Sequence, residues 1–517
     1  MGSSAQQRIG ATLLLAALVT FVLTARVLDP EHSTYRALGP WPDGPEYVDA
    51  GRNWAETGSL RIHVAGELLP ARYPPGYSVL LGVAMNLGAA PLDAPIWVNR
   101  AAALLTLGLV WLELLRRGLP LEAGLAVFLL STRTAFVIMT RAPMSELVSG
   151  IVLLAAVFVL YEASKRTSKQ WAAFGGFLLG LSLCFRVSNL LWIGFLPAAA
   201  YAAGGSKRSR SALLLAGIAG WTVGAAALAT YQQATFGNPL ATGYGFWLGN
   251  EGAWSGAFAF EHVPGQLAML GRELLQIEDD ETTAGLYGAG SYLAPAFALA
   301  AALALWRLRR NRRLAAFAAA ACVYALAMLS YFFFDFRLYY PLVLFAVPVT
   351  VAGLLALYRD ASRRAQAAMA LLLLGTLSGW PGRRSAFDLG DMLRTPSLML
   401  SCPEWESVDP LNTVPATAPR LILTDMNPPY VHAMTNGERI AAPLEGYGFN
   451  PKSFSFDEGR RRELVRRAFE RGDEVWVVTR AADIAAAAEA EASLHGASSD
   501  TRWTNGLGGG AARLIQQ

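Results

Sequence analysis

Charge is scarce in this 517-residue chain. Asp, Glu, Lys and Arg together make up 16% of it, where a soluble domain carries about a quarter. Cysteine is scarcer still: Cys184, Cys322 and Cys402 stand at spacings that support neither a disulfide framework nor a thiolate metal site. A phosphate-binding loop is also missing, because Gly506–Gly510 lacks the Lys-Ser/Thr ending and the following helix, and it reads as a turn between the last two strands. The chain has no Asp-x-Asp motif, which leans against metal-dependent chemistry. A net charge of +4 is too mild to point to nucleic acid.

What is present is apolar sequence: 54% hydrophobic residues and a mean hydropathy of +0.33. Short basic clusters punctuate it at Arg116-Arg117, Lys165-Arg166-Lys169, Lys207-Arg208-Arg210, Arg307–Arg313, and Arg359 with Arg363-Arg364. Each interval between clusters has room for two bilayer crossings, so all five can lie on one face, the face that collects Lys and Arg in membrane proteins. A crossing helix needs about 20 mostly apolar residues. Spans are expected near 9–28, 95–115, 119–135, 146–164, 171–186, 189–205, 211–230, 288–306, 314–334, 338–358 and 365–381. These eleven spans predict a multi-pass protein of an inner or plasma membrane, with the N-terminus cytoplasmic and the C-terminus outside. The first run, Ile9–Leu28, lacks a convincing small-residue cleavage site and reads as an uncleaved signal anchor. A tight turn at Val187-Ser188 separates the fifth and sixth spans.

Everything else falls on the opposite face. Residues 29–94 and 231–287 form two long external loops of a membrane domain, 1–383. Within the first loop, Gly76–Ala90 reads as an amphipathic helix lying in the interface. Residues 384–517 have the composition of a soluble domain. Leu421–Thr424 and Glu474–Thr479 read as buried strands, with helices at Asp457–Arg471 and Ala481–Leu494, which together suggest a small extracytoplasmic α/β domain.

The chemistry-bearing residues lie in those loops. Pro42-Asp43-Gly44-Pro45-Glu46-Tyr47-Val48-Asp49 places three carboxylates in seven residues just outside the first span, and such a carboxylate can serve as a general base. Downstream come Arg72-Tyr73-Pro74-Pro75, Asn99-Arg100, and Ser145-Glu146 before the fourth span. Glu146 equally suits a plain helix start, where the dipole favours a carboxylate. Thr235-Phe236-Gly237-Asn238-Pro239, followed by Gly243-Tyr244, reads as an Asn-Pro turn. Arg186 lies in an apolar stretch where a stranded charge is expensive, so it either snorkels or faces a polar cavity. Arg337, in Phe336-Arg337-Leu338-Tyr339-Tyr340-Pro341, is similar, with Asp335 near enough to neutralise it. Glu278-Asp279-Asp280-Glu281 reads as a solvated loop before a cation site, and His32, His63 and His262 show no ligand spacing.

This order of motifs resembles the GT-C superfamily of membrane glycosyltransferases, particularly the protein O-mannosyltransferases and the aminoarabinose transferases, over roughly residues 10–360. Asp43 and Tyr47 have that family's acidic-to-Tyr offset, and Tyr73-Pro74-Pro75 matches its Pro-Pro motif. Gly44 departs from the pattern, which usually has a second acidic residue there, and Glu46 is the nearest substitute. The resemblance implies an α-helical polytopic fold with about eleven membrane helices. It also implies a hexosyl- or pentosyltransferase that takes its sugar from a polyprenyl-phosphate donor, inverts it, and passes it to an extracytoplasmic acceptor: a protein, a glycolipid or a cell-wall polymer. On that reading Asp43, Glu46 and Glu146 are the candidate catalytic carboxylates, and Tyr47, Arg72, Tyr73, Arg186, Arg337 and Tyr339 bind substrate. Neither a resident cofactor nor a metal is expected. A lipid or solute transporter is the rival class, although no internal repeats or mid-membrane polar residues support it. A non-catalytic relative is the third.

Overall fold

The computed structural model describes residues 3–24, 43–132, 136, 139–140, 143–249, 258–275, 295–331, 336–378, 419–425, 428–434, 439–444, 456–479, 483–504 and 510–516. The acidic run 278–281, Asp335, Cys402 and Gly506 to Gly509 fall outside them. The chain divides into two compact units. One comprises Met1–Ser33, Val98–Leu240 and Trp254–Met399; the other comprises Thr34–Trp97, Ala241–Ala253 and Leu400–Gln517.

The first unit is helical. A helix covers most of each of the eleven apolar segments. Among the described residues, five stretches are long and apolar enough to cross a membrane: Ser4–Leu23, Ala94–Arg116, Glu146–Arg166, Lys207–Phe236 and Arg337–Asp360. Pro120–Thr132, Val187–Ala203 and Phe297–Leu308 are shorter apolar helices. Small residues set the closest packing. Helices Lys169–Leu181 and Lys207–Phe236 meet along Gly176, Gly180, Gly217, Gly220 and Gly224, and a Cβ on Gly220 would come within 1.9 Å of the Ala173 carbonyl oxygen. Lipid offers no hydrophobic drive between helices, so this near approach of two backbones has to supply the attraction.

The basic clusters gather at one end of this unit. Arg116 and Arg166 both reach Glu162, at 3.2 and 3.1 Å, while Arg307 pairs with Asp360 at 2.6 Å and Arg359 with Glu122 at 2.5 Å. Arg312 donates to the Tyr201 carbonyl at 2.6 Å. The expected turn at Val187-Ser188 is displaced: 3₁₀ turns run through Ser182–Cys184 and Val187–Gly194, leaving extended Arg186 between them. The cause is polar. Asn189 donates to Ser149 Oγ at 2.8 Å and to the Ser182 carbonyl at 2.9 Å, and that pair holds the backbone out of α geometry.

The second unit mixes helix and sheet. Helix Asp43–Thr57 leads into a hairpin of β1 (Arg61–Val64) and β2 (Glu67–Pro70), then into helix Pro75–Asn86, the predicted interfacial segment. Positive φ at Ala65 and Gly66 makes the two-residue hairpin turn. Helices Asp43–Thr57 and Pro75–Asn86 pack through Gly51 and Gly82, where any Cβ would strike backbone or Trp54. The C-terminal segment adds β3 (Pro419–Thr424), β4 (Ile440–Pro443), β5 (Glu474–Thr479), β6 (Ala497–Thr504) and β7 (Gly510–Gln516). Their order is β4-β3-β5-β7-β6. The first three are parallel, and β7 runs antiparallel to both of its neighbours. Helix Glu458–Glu470 is started by Asp457, whose carboxylate accepts from Arg460 N, and Asp483 caps helix Ile484–His495 in the same way. Ile62, Val64, Trp247, Leu421, Leu423, Val475, Val477 and Leu514 form one core, each large aliphatic contributing roughly 1.5–3 kcal/mol by burial. The Ala65 amide donates to the Ala441 carbonyl at 2.8 Å and ties the hairpin to the edge strand β4.

Candidate active site

Asp43 opens helix Asp43–Thr57, where the helix dipole favours a carboxylate, and it is buried at 7% exposure. Tyr73, 30 residues on, donates its hydroxyl to Asp43 Oδ1 at 2.7 Å. Burial and then the adjacent Asp43 carboxylate push the Tyr73 phenol well above its ordinary value, so it stays a protonated donor. Tyr47, one helical turn after Asp43, packs 4.9 Å from the Tyr73 ring and edge-on to Tyr77 at 5.0 Å. Glu46 lies on the same turn and pairs with Arg72 at 3.4 Å. The Arg72 guanidinium also sits 5.7 Å from the Trp247 ring, a cation–π contact.

The Gly243-Tyr244 motif joins this cluster. Tyr244 meets Tyr73 edge-on at 5.6 Å, and Trp247 Nε1 donates to the Pro70 carbonyl at 2.8 Å. A Cβ on Gly243 would fall 2.3 Å from the Arg72 carbonyl oxygen, so only glycine admits this approach. The upstream Asn-Pro turn forms as read: helix Lys207–Phe236 ends at left-handed Gly237, and Asn238 Oδ1 accepts from the Leu240 amide at 2.9 Å.

A second charged cluster belongs to the helical unit. Glu146, fully buried at the start of Glu146–Arg166, takes Arg186 Nη1 at 2.5 Å on Oε1. Arg337 Nε approaches the same oxygen at 3.5 Å, and Arg337 Nη1 lies 3.7 Å from Met144 Sδ. Two guanidiniums therefore share one carboxylate oxygen. Arg186 does not snorkel to a headgroup; it is drawn inward by Glu146. Glu146 thus anchors both cations through Oε1. Tyr339 is buried in the turn before Tyr340–Asp360. Asn99 donates to the Met144 carbonyl at 3.4 Å and supports the loop that carries Glu146. Glu146 stands about 30 Å along its helix from the basic end, by helical rise.

One cluster lay beyond sequence reasoning. Asp49, fully buried, accepts from the His63 amide on Oδ2 at 2.6 Å, while Nδ1 of His63 and of His432 lie 3.1 and 2.5 Å from its Oδ1. Burial opposes ionisation of Asp49, but the hydrogen bonds and charge of His432 and His63 outweigh it and hold the carboxyl below its ordinary value. His63 alone gave no signal, because its partner His432 lies in the C-terminal segment.

A scan of protein-family models and a search of curated proteins find no match to this chain. Solved structures do match. ArnT from Cupriavidus metallidurans bound to undecaprenyl phosphate is similar over 98% of this chain and 97% of its own, at TM-score 0.56 and 12% identity. Its apo state gives the same coverage and identity, at TM-score 0.54. An oligosaccharyltransferase from Archaeoglobus fulgidus, in complex with zinc and sulfate, is similar over 93% of this chain and 69% of its own, but at TM-score 0.49 and 11% identity that likeness is too loose to carry weight. At 12% identity the ArnT likeness speaks for fold alone: this chain has the fold of ArnT over nearly its whole length.

Proposed function

We propose that this chain is an inverting glycosyltransferase that moves a sugar from a polyprenyl-phosphate donor to a hydroxyl or amine acceptor outside the cytoplasm. What carries the reading is Asp43: a buried carboxylate at a helix start, oriented by a phenol that stays protonated, in a chain with the ArnT fold. Undecaprenyl phosphate in the ArnT structure supports the donor class. The lipid tail gives such an enzyme its reason to live in a bilayer.

In this scheme Asp43 takes the acceptor's proton as the acceptor atom bonds to the anomeric carbon. The bond from that carbon to the phosphate oxygen breaks, and the lipid phosphate leaves with the electron pair, inverting the centre. Phosphate is a good leaving group and needs no acid. Its developing charge is met by guanidinium, from Arg72, Arg186 and Arg337, since these planar forks match phosphate oxygens in pairs. Glu146 positions Arg186 and Arg337, and Glu46 positions Arg72. Tyr47, Tyr73 and Tyr339 shape the substrate's surroundings. No resident cofactor takes part in these steps. The acceptor is a protein, a glycolipid or a cell-wall polymer, and nucleic acid plays no part.

The same reading assigns eleven crossings, with the basic end of the helical unit in the cytoplasm and the domain after residue 383 outside an inner or plasma membrane. The test is transfer of labelled sugar from a polyprenyl-phosphate donor by purified protein in nanodiscs, with Asp43→Asn beside wild type. Loss of turnover with donor binding retained supports both the class and the base. Equal turnover in both proteins moves the base to Glu46 or Glu146. Donor movement across the bilayer without transfer would favour a transporter.

A further inference from the structure

We infer that Asp49, His63 and His432 form a binding site for a divalent transition-metal ion of the zinc class. The three residues each direct one ligand atom inward, and these atoms lie within 4.8 Å of one another. They come from three separate places: helix Asp43–Thr57, strand β1, and helix Pro428–Met434, with 383 positions between the first and the last. Two imidazole nitrogens and one carboxylate oxygen are a donor set that zinc accepts, with a fourth place left for water or a ligand.

Charge and geometry both favour an ion here over simple hydrogen bonding. The His63 and His432 rings stack with centroids 3.9 Å apart and planes at 24°. At that separation both rings cannot be cationic without strong repulsion. A divalent ion would lie against the buried carboxylate and take the place of protons on both Nδ1 atoms. Ligand atoms in a tetrahedral zinc site lie roughly 3.4 Å apart, given bonds of about 2.0–2.1 Å. The contact of His63 Nδ1 with Asp49 Oδ1 is already 3.1 Å. The contact of His432 at 2.5 Å has to open by about an ångström, within reach of a ring rotation. The His63 amide holds Asp49 Oδ2 at 2.6 Å and so fixes the carboxylate's orientation, as outer-shell donors do in metal sites.

Such an ion would act as a clasp. Asp49 follows Asp43 by six residues on one helix. Coordination by His432 then pins the candidate base's helix to the C-terminal segment and holds it still. The inference rests on the coordinates of these three side chains and on neither donor nor acceptor, so it stands or falls apart from the transferase reading.

The experiment is metal binding by the full-length protein in detergent. The protein is stripped with chelator, titrated with zinc against a chromophoric competitor, and its metal content measured by mass spectrometry after dialysis. Cobalt(II) is used in parallel for its visible ligand-field bands. Wild type is expected to retain one zinc per chain, and His432→Ala and Asp49→Asn to lose it. His432→Cys, which keeps a ligand, is expected to bind and to add a thiolate-to-cobalt band. Hydrogen exchange across residues 43–57 should slow when zinc is added to the stripped wild type and stay unchanged in His432→Ala. The inference is overturned if stripped wild type takes up no zinc at micromolar concentration, or if the alanine and asparagine variants bind as wild type does. The wild-type arm decides this even where a variant fails to fold.

Discussion

Glu146 and Asp43 are both buried carboxylates at the start of a helix, yet their partners differ in kind. Glu146 belongs to the helical unit and shares one oxygen between Arg186 and Arg337. Asp43 belongs to the mixed unit and accepts from the neutral phenol of Tyr73. In an apolar helix bundle a lone guanidinium is expensive, and a carboxylate between two of them lowers the cost. Beside sheet and loop a neutral phenol orients the acid. In the proposed mechanism one cluster meets the leaving phosphate and the other takes the acceptor's proton.

Substitutions can break that comparison. The largest expected effect is Asp43→Asn, which should cut sugar transfer by about 10²–10⁴-fold, the usual worth of a general base, with donor binding kept. Steady-state transfer and donor titration check this; a larger kcat loss for Glu146→Gln than for Asp43→Asn would reverse the two assignments. Next comes Arg186→Ala, expected to lower transfer by about 10²-fold through loss of charge stabilisation. Arg186→Lys should restore only part of it, since an ammonium cannot pair two oxygens in a plane. Tyr73→Phe should cost about tenfold in kcat, in keeping with a hydrogen bond to a charged group. Because burial and Asp43 hold the phenol well above the ordinary tyrosine value of 10.0, it keeps its proton at lower pH. The ratio of wild type to Tyr73→Phe should therefore stay flat from neutrality to pH 10.0 in a pH–rate profile. The smallest effect on chemistry belongs to Gly220→Val, which forces apart two backbones in the helical unit. It should lower stability by about 1–3 kcal/mol, read as an earlier thermal transition in detergent.

Much of the fold is legible in the sequence because it depends on local signals. Runs of about 20 apolar residues and intervening Arg and Lys locate the helices and sort their ends. The strand at Glu474–Thr479 and the helix capped by Asp457 appear where composition placed them. Asp43, Tyr47 and Tyr73-Pro74-Pro75 stand out as a motif, and they do meet. Strand β4 went unread, since Ile440–Pro443 is too short to show a pattern. The antiparallel place of β7 between β5 and β6 is likewise a matter of topology and not of composition.

By itself, then, the sequence determined where apolar helices form, which of their ends carry positive charge, and which loops hold acids and tyrosines. These follow from hydropathy and charge within a window of a few turns. The tertiary structure alone decided which charges become partners. Glu146 finds Arg186 across 40 residues and Arg337 beyond it, Gly243 lies against the Arg72 backbone, and His432 reaches Asp49 across 383 residues. Such meetings depend on the path of the whole chain, and no local pattern of residues encodes a path.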